Sequence, residues 1–402
     1  MQNKNSVLVV GVNARPIVSS LKLLGLDIYA VDYWGDIDLR EKVKDLFVIK
    51  ENEDYFAKLG DEGASFADKL YIFAEKMIDQ HPEISKIYIG SGLDDRPDLW
   101  KKLSNKREII GNKPNNIKYI RDRFNVYSLL EDLEINAPRT VIIRKEKDLK
   151  NFCLKVGFPV VIRSNVSSGG GREIYKINSK NEIKKTWRSL SSNKKIDEII
   201  AQEFIEGLDI SVTSLNNKKD VHIISVNEQL IGMKEAGAPY PFAYCGNIIP
   251  ANLSKKVIKK VKKNSKQLLE KLNLHGINGM DLKIDGNDLY FMEINPRFPG
   301  TIEIIEMMTQ TNIIDIHNRA YNGEIVPISI PEKKFGIKII PYSKNTMNMK
   351  KLDDSSNYYY DIPMENEIIE KNDPILTIQI IGNNRKNIIK KAFKIIENLY
   401  LF

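Results

Sequence analysis

The chain has 402 residues, 42% hydrophobic and 28% charged, with a formal net charge of +8. That composition excludes a disordered chain, and the length exceeds what one hydrophobic core usually supports, so two or three domains are expected. The lysines are mixed with acids and asparagines along the chain, which favours an ordinary solvated surface over a nucleic-acid face.

Over the first hundred or so residues, short β-rich runs at 7–10, 26–31, 46–49 and 86–89 alternate with helical patterns. This predicts a parallel sheet with crossover helices. Gly11 follows the first run, and Asn13, Arg15 and Pro16 lead into a helical stretch at 17–24. One glycine stands where a dinucleotide fingerprint needs three, so no NAD site is expected. The loops after the second and fourth runs hold Asp32, Asp36, Ser91, Asp94 and Asp95. They lie where open sheets bind ligands, although turn chemistry explains such residues equally well.

Gly111-Asn112-Lys113-Pro114 punctuates the chain and opens a predicted helix over 117–133. A buried-strand pattern at 158–163 ends in Arg163, then Ser167-Ser168-Gly169-Gly170-Gly171-Arg172 precedes a strand over 173–177. Bare backbone amides in such a loop suit phosphate oxygens, while a flexible hairpin tip accounts for the same glycines. The lysine-rich run 255–271, capped by Ser254, interleaves Val257, Val261, Leu268 and Leu272 and predicts an amphipathic helix.

Two apolar runs, 279–283 and 289–297, flank an Asp285-Gly286-Asn287-Asp288 turn. A hairpin there brings Asp281 and Glu293 onto neighbouring strands, with Asn295 on the same side as Glu293. Two carboxylates and an amide oxygen suit magnesium held against phosphates; a salt bridge to Arg297 is the other reading. Near Pro331 the pattern shifts to a β-rich stretch at 335–380 and a last helix over 386–399. There is no internal repeat. The two cysteines, Cys153 and Cys245, exclude a disulfide framework and fit a reducing compartment. With no apolar run of spanning length and no signal pattern, a cytoplasmic protein without a membrane partner is expected.

These segments, in this order, resemble the ATP-grasp superfamily over roughly 113–323, most specifically at Glu293-Ile294-Asn295-Pro296-Arg297 preceded by Asp281. The resemblance implies an ATP-grasp fold of α/β and α+β parts, with an N-terminal Rossmann-like preceding domain (1–112), a core clamping ATP (113–330) and a small C-terminal domain (331–402). It implies ATP and magnesium (or manganese) as cofactors, with the metal on Asp281, Glu293 and Asn295. Arg297 would meet the transferred phosphoryl group or substrate carboxylate. The stretch 201–212 looks like the adenine hinge, with Gln202, Glu203, Phe204 and Ile205 at the base and Asp209 at the ribose. Ser168, Gly169, Gly170 and Gly171 would cover the phosphates. Arg123 and Arg163 stand where many members carry phosphate-binding lysines; charge is kept, geometry changes. Gly11–Arg15, the stretch 31–36 and Gly111-Asn112 look like predicted carboligases related to biotin carboxylase.

The expected function is an ATP-dependent carboxylate-amine ligase working through an acyl phosphate, on small-molecule carboxylate and amine substrates, with a homodimer as candidate assembly. Its rivals are a bicarbonate-activating carboxylase component and a non-catalytic ATP sensor. Tyr244-Cys245-Gly246-Asn247 is expected to face the same cleft and help select substrate, or to be a plain loop.

Overall fold

A computed structural model describes residues 6–58, 64–165, 171, 173–192, 198–352 and 357–400. Strands β1 (Ser6–Val10), β2 (Asp27–Asp32), β3 (Asp45–Val48), β4 (Lys86–Ile89) and β5 (Glu108–Ile109) form a sheet in the order β3-β2-β1-β4-β5, every pair parallel. β1 is buried along its whole length because helices cover both faces. Val7 and Val9 pack with Ile17, Val18 and Leu21 of the helix Arg15–Lys22, while Leu8 and Val10 pack with Leu70, Phe73 and Met77 of the helix Phe66–Gln80.

The helix predicted over 117–133 is two helices, Pro114–Arg121 and Arg123–Asp132. Asp122 leaves the helical region at ψ 102° and its carboxylate accepts from Phe124 N at 3.1 Å, so it caps the second helix and breaks the first. The consequence is a change of direction between Arg121 and Arg123.

Beyond it, β6 (Thr140–Ile143), β7 (Val160–Ser164), β8 (Tyr175–Ile177) and β9 (Ile199–Glu203) form an antiparallel sheet in the order β6-β9-β7-β8. Leu149 and Phe152 of the helix Glu146–Val156 and Ile183 and Leu190 of the helix Ile183–Ser191 fill its covered face.

The largest sheet begins with β10 (Leu208–Asn216), β11 (Val221–Ile231), β12 (Tyr244–Ile249), β13 (Gly276–Asp285) and β14 (Asp288–Asn295). It continues with β15 (Phe335–Ile339), while β16 (Met347–Asn348) pairs apart with β18 (Ile368–Ile369), and β17 (Tyr359–Tyr360) and β19 (Thr377–Gly382) complete it. The order is β14-β13-β10-β11-β12-β15-β19-β17, antiparallel throughout. The β12–β15 pairing therefore carries the C-terminal segment into the sheet that holds the hairpin. The lysine-rich run is the helix Lys255–Glu270, with Ser254 Oγ accepting from Val257 N at 3.3 Å and Val261, Leu268 and Leu269 packed on this sheet.

Cys153 and Cys245 are buried free thiols. Among the described residues no helix is long and apolar enough to cross a membrane. The three larger sheets and their loops contribute to one cleft of about 770 Å³: Asn13 and Asp94 from loops of the first, Val161 and Gln202 from the second, Asp281 and Glu293 from the third.

Candidate active site

The hairpin forms as the turn residues predicted, with Asp285 opposite Asp288 and the two acids on neighbouring strands, where Asp281 faces Glu293. A register shift next to Asp281 leaves Met292 as the extra residue of a bulge, a device that re-aims neighbouring side chains. Asp281 accepts from Gln229 Nε2 and from Asn295 Nδ2, both at 2.9 Å. Burial, with Glu293 beside it, pushes the Asp281 carboxyl up to about 7 against those two hydrogen bonds.

Glu293 has the opposite surroundings. Arg121 Nη1 donates to its Oε1 at 3.0 Å, Arg123 Nη2 to its Oε2 at 2.9 Å, and Arg163 Nη2 lies 3.8 Å from Oε2. Burial opposes ionisation, but the fields of Arg123, Arg121 and Arg163 outweigh it and hold the carboxyl well below its usual range. Burial also lowers the Arg163 guanidinium to about 10, with Arg123 adding to the shift.

Arg121 is the residue that sequence reasoning missed. It lines the cleft, whereas Arg123, expected to reach phosphates, lies behind Glu293 and donates to Met292 O at 3.1 Å. The available signal was Arg121-Asp122-Arg123, since a capping aspartate between two arginines aims them differently. Arg121 also pairs with Asp95, and Arg297 pairs with Asp94 rather than with Asp281 or Glu293. The loop after β4 thus supplies counter-ions to the core. Burial pushes the Asp95 carboxyl up to about 7, with Arg121 opposing and Asp94 adding to the shift.

At the other end of the cleft, Gln202 Nε2 donates to Tyr127 Oη at 2.9 Å and to Thr140 Oγ1 at 3.2 Å. Glu203 pairs with Arg139 at 2.9 Å, while Phe204 and Ile205 face the cleft, with Lys176 Nζ 3.6 Å from the Phe204 ring centre. Asp209 pairs with Lys283 at 2.8 Å. Gly171 also lines the cleft; its φ of +79° favours glycine, and a Cβ there would collide with the Phe242 carbonyl oxygen. Ser168, Gly169 and Gly170 lie outside the described residues. Tyr244 and Asn247 line the cleft, with Tyr244 donating to Asn247 Oδ1.

The cleft therefore brings together Arg163, Gly171, the stretch 202–205, Asp209, Asp281, Glu293, Asn295 and Arg297. No group of three or more His, Cys, Asp or Glu side chains forms a metal cage among the described residues. The hard donors are the two opposed carboxylates and the Asn295 amide.

Residues 120–301 match the family model of the ATP-grasp domain. A protein of Methanocaldococcus jannaschii, described as uncharacterized, is 32% identical over 400 residues, covering 96% of this chain and 91% of that protein. The chain belongs to the ATP-grasp superfamily. The C-terminal section of the carbamoyl phosphate synthase large chain of Aquifex aeolicus is 24% identical over 255 residues, 61% of this chain and 47% of that protein. This ATP-grasp chain thus matches about half the length of that relative. Among solved structures, it is similar to the biotin carboxylase domain of the Hydrogenobacter thermophilus 2-oxoglutarate carboxylase, a dimer in complex with magnesium ADP, ADP and bicarbonate. The TM-score is 0.74 at 16% identity, covering 94% of this chain and 86% of that one. The mixed α/β ATP-grasp fold expected from the sequence is the fold observed.

Proposed function

We propose that the protein is an ATP-dependent ligase that activates a carboxylate as an acyl phosphate for attack by an amine. The observation that carries the reading is the pairing of Asp281 with Glu293 on one face of a hairpin, ringed by Arg121, Arg163 and Arg297 in the cleft. Hard oxygens fit a divalent cation, and each Glu293 oxygen receives one close arginine donor, which leaves lone pairs for a metal. Magnesium or manganese bound to Asp281, Glu293 and Asn295 would neutralise charge on the triphosphate.

The remaining work belongs to side chains. Arg163 and Arg121 hold phosphate oxygens, Arg297 holds the carboxylate being activated, and the stretch 202–205 with Asp209 seats adenosine. A carboxylate oxygen attacks the γ-phosphorus, the bond to the β–γ bridging oxygen breaks, and ADP leaves. A neutral amine then attacks the acyl carbon, the bond from that carbon to the phosphate oxygen breaks, and the nitrogen's surplus proton leaves with the phosphate. Gly171, in the wall of the cleft, helps keep water from the mixed anhydride. The division into 1–112, 113–330 and 331–402 is part of this proposal, with the third part joined to the second by β15. So are a cytoplasmic location and a homodimer.

Hydroxylamine trapping with ATP, magnesium and a panel of carboxylic acids tests the reading. Hydroxamate from at least one acid supports it. A second reading, activation of bicarbonate, draws support from the bicarbonate in the 2-oxoglutarate carboxylase complex. It is favoured if phosphate release responds to bicarbonate alone. ATP binding with no turnover on any acid would leave a nucleotide sensor.

A further inference from the structure

Away from the Asp281–Glu293 pair, the cleft reaches the carboxyl end of β2, where its chemistry changes. Trp34 and Asp36, from the loop after β2, line it with Asp361, Pro363 and Thr377 of the C-terminal segment. The two walls are fastened together: Ile37 N donates to Ile362 O at 2.8 Å, and Asp361 N and Ile362 N donate to the Asp38 carboxylate at 3.1 and 3.0 Å. Nearly every charge here has a partner. Arg15, 1% exposed, is shared by Glu303, Asp361 and Asp38. Asp32 accepts from the backbone amides of Ala14, Trp34 and Gly35 at 2.7–2.8 Å.

Asp36 is the exception. It is 8% exposed, lines the cleft, and its carboxylate makes no hydrogen bond or ion pair among the described residues. The carboxyl groups of Asp32, Asp36, Asp38, Glu303 and Asp361 meet three cations: Arg15, Lys338, whose ammonium donates to Gly300 O at 3.1 Å, and Lys42, whose field reaches Asp38. Burial pushes the Asp36 carboxyl up from its ordinary value, with Asp361, Asp32 and Asp38 adding and Arg15 opposing. Carboxyl groups outnumber cations on this wall, and a bound cation would favour the ionised form of Asp36.

The neighbouring wall is aromatic. Tyr33 meets Trp34 edge-on at 4.7 Å and Phe66 at 4.9 Å, and all three line the cleft. Lys50 Nζ, paired with Glu367, already lies 5.3 Å from the Trp34 ring centre. Aromatic faces beside a carboxylate select an organic ammonium, whereas a metal ion wants several converging oxygens.

We infer that this end of the cleft seats a cationic ammonium group of the second substrate, which is a diamine or a basic amino acid, held by Asp36 and walled by Tyr33, Trp34 and Phe66. The inference rests on the ligase reading. It requires two nitrogens, because an amine that attacks an acyl phosphate must be neutral, while the nitrogen paired with Asp36 stays protonated and serves as the anchor.

The test is calorimetric titration of the full chain with 1,4-diaminobutane, 1,4-butanediol and magnesium chloride, each without ATP. Expected are saturable binding of the diamine and none of the diol. Asp36→Asn should weaken diamine binding about tenfold or more while ATP affinity is unchanged. Trp34→Leu should weaken it several-fold in a protein of wild-type melting temperature. Asp36 precedes a helix without capping it through its side chain, so the asparagine variant should fold. No saturable diamine binding, equal binding by Asp36→Asn, or magnesium binding with the same dependence on Asp36 would each overturn the inference. Hydroxamate formation by a protein that binds no diamine removes the subsite and leaves the ligase. Asp36-dependent diamine binding without activation of any acid removes the ligase and leaves the subsite.

Discussion

Asp281 and Glu293 face each other across β13 and β14, yet their carboxyls are held in opposite states. Asp281 is pushed up to about 7 by burial and by Glu293, whereas Arg123, Arg121 and Arg163 overcome burial and hold Glu293 well below the usual range. Asp281 is met by two amide donors, whereas Glu293 is met by three guanidinium groups.

The first prediction concerns metal. ATP should bind far more tightly with magnesium than with a chelator, because the Asp281 carboxyl, hydrogen-bonded by amides and by no guanidinium among the described residues, otherwise repels the triphosphate. Calorimetric titration in both conditions checks this, and equal affinities would remove the pair from the nucleotide site.

Glu293→Gln should be both inactive and less stable. Its arginines would lose the charge they converge on, and breaking a largely buried ion pair costs about 3–5 kcal/mol. Turnover should fall by orders of magnitude where hydroxamate or phosphate release is followed. A folded, active variant would place Glu293 outside the chemistry.

Asp281→Asn should do the reverse to the unliganded protein. The folded carboxyl binds its proton up to about pH 7 and the unfolded one releases it near 4, so wild type loses stability as pH rises through that window. The asparagine variant should match wild type near pH 4 and exceed it by roughly a few kcal/mol at pH 8 with a chelator present. Denaturant melts at the two pH values give the comparison. An advantage that does not grow with pH would contradict the assignment.

Arg163→Ala should weaken nucleotide binding by about one to two decades, since a charge-assisted phosphate contact is worth roughly 1.5–3 kcal/mol. Arg163→Lys should restore much of it. Wild-type affinity and turnover in the alanine variant would exclude Arg163 from phosphate contact.

His317 ties the first sheet to the hairpin: Ile277 N donates to its Nδ1 at 2.9 Å, and its Nε2 donates to Ile110 O at 3.0 Å. Burial lowers it to about 4, so its neutral form stabilises the fold above pH 6.5, and that contribution is lost as pH falls from 6.5 towards 4. His317→Leu should cost roughly 2–4 kcal/mol at neutral pH by stranding two buried backbone groups. The difference between variant and wild type should shrink on acidification, as paired denaturant melts would show.

The sequence alone determined the local features. The Asp285-Gly286-Asn287-Asp288 turn put Asp281 and Glu293 on neighbouring strands, strand alternation put Asn295 on the side of Glu293, and an apolar run marked β7 as buried. Each depends on residues a few positions apart, whose geometry the backbone fixes, but the bulge that brings Glu293 rather than Met292 opposite Asp281 carries no such local signal. Only tertiary structure decided which charges meet. Arg121 reaches Glu293 because Asp122 ends one helix and caps the next; Arg297 takes Asp94 from another sheet; Asp36 is left without a hydrogen-bonded partner among the described residues, beside a C-terminal wall that arrives more than three hundred residues later. Ion pairs carry no sequence period, since long side chains from distant segments compete for the same partners, and the packing of the three sheets selects among them.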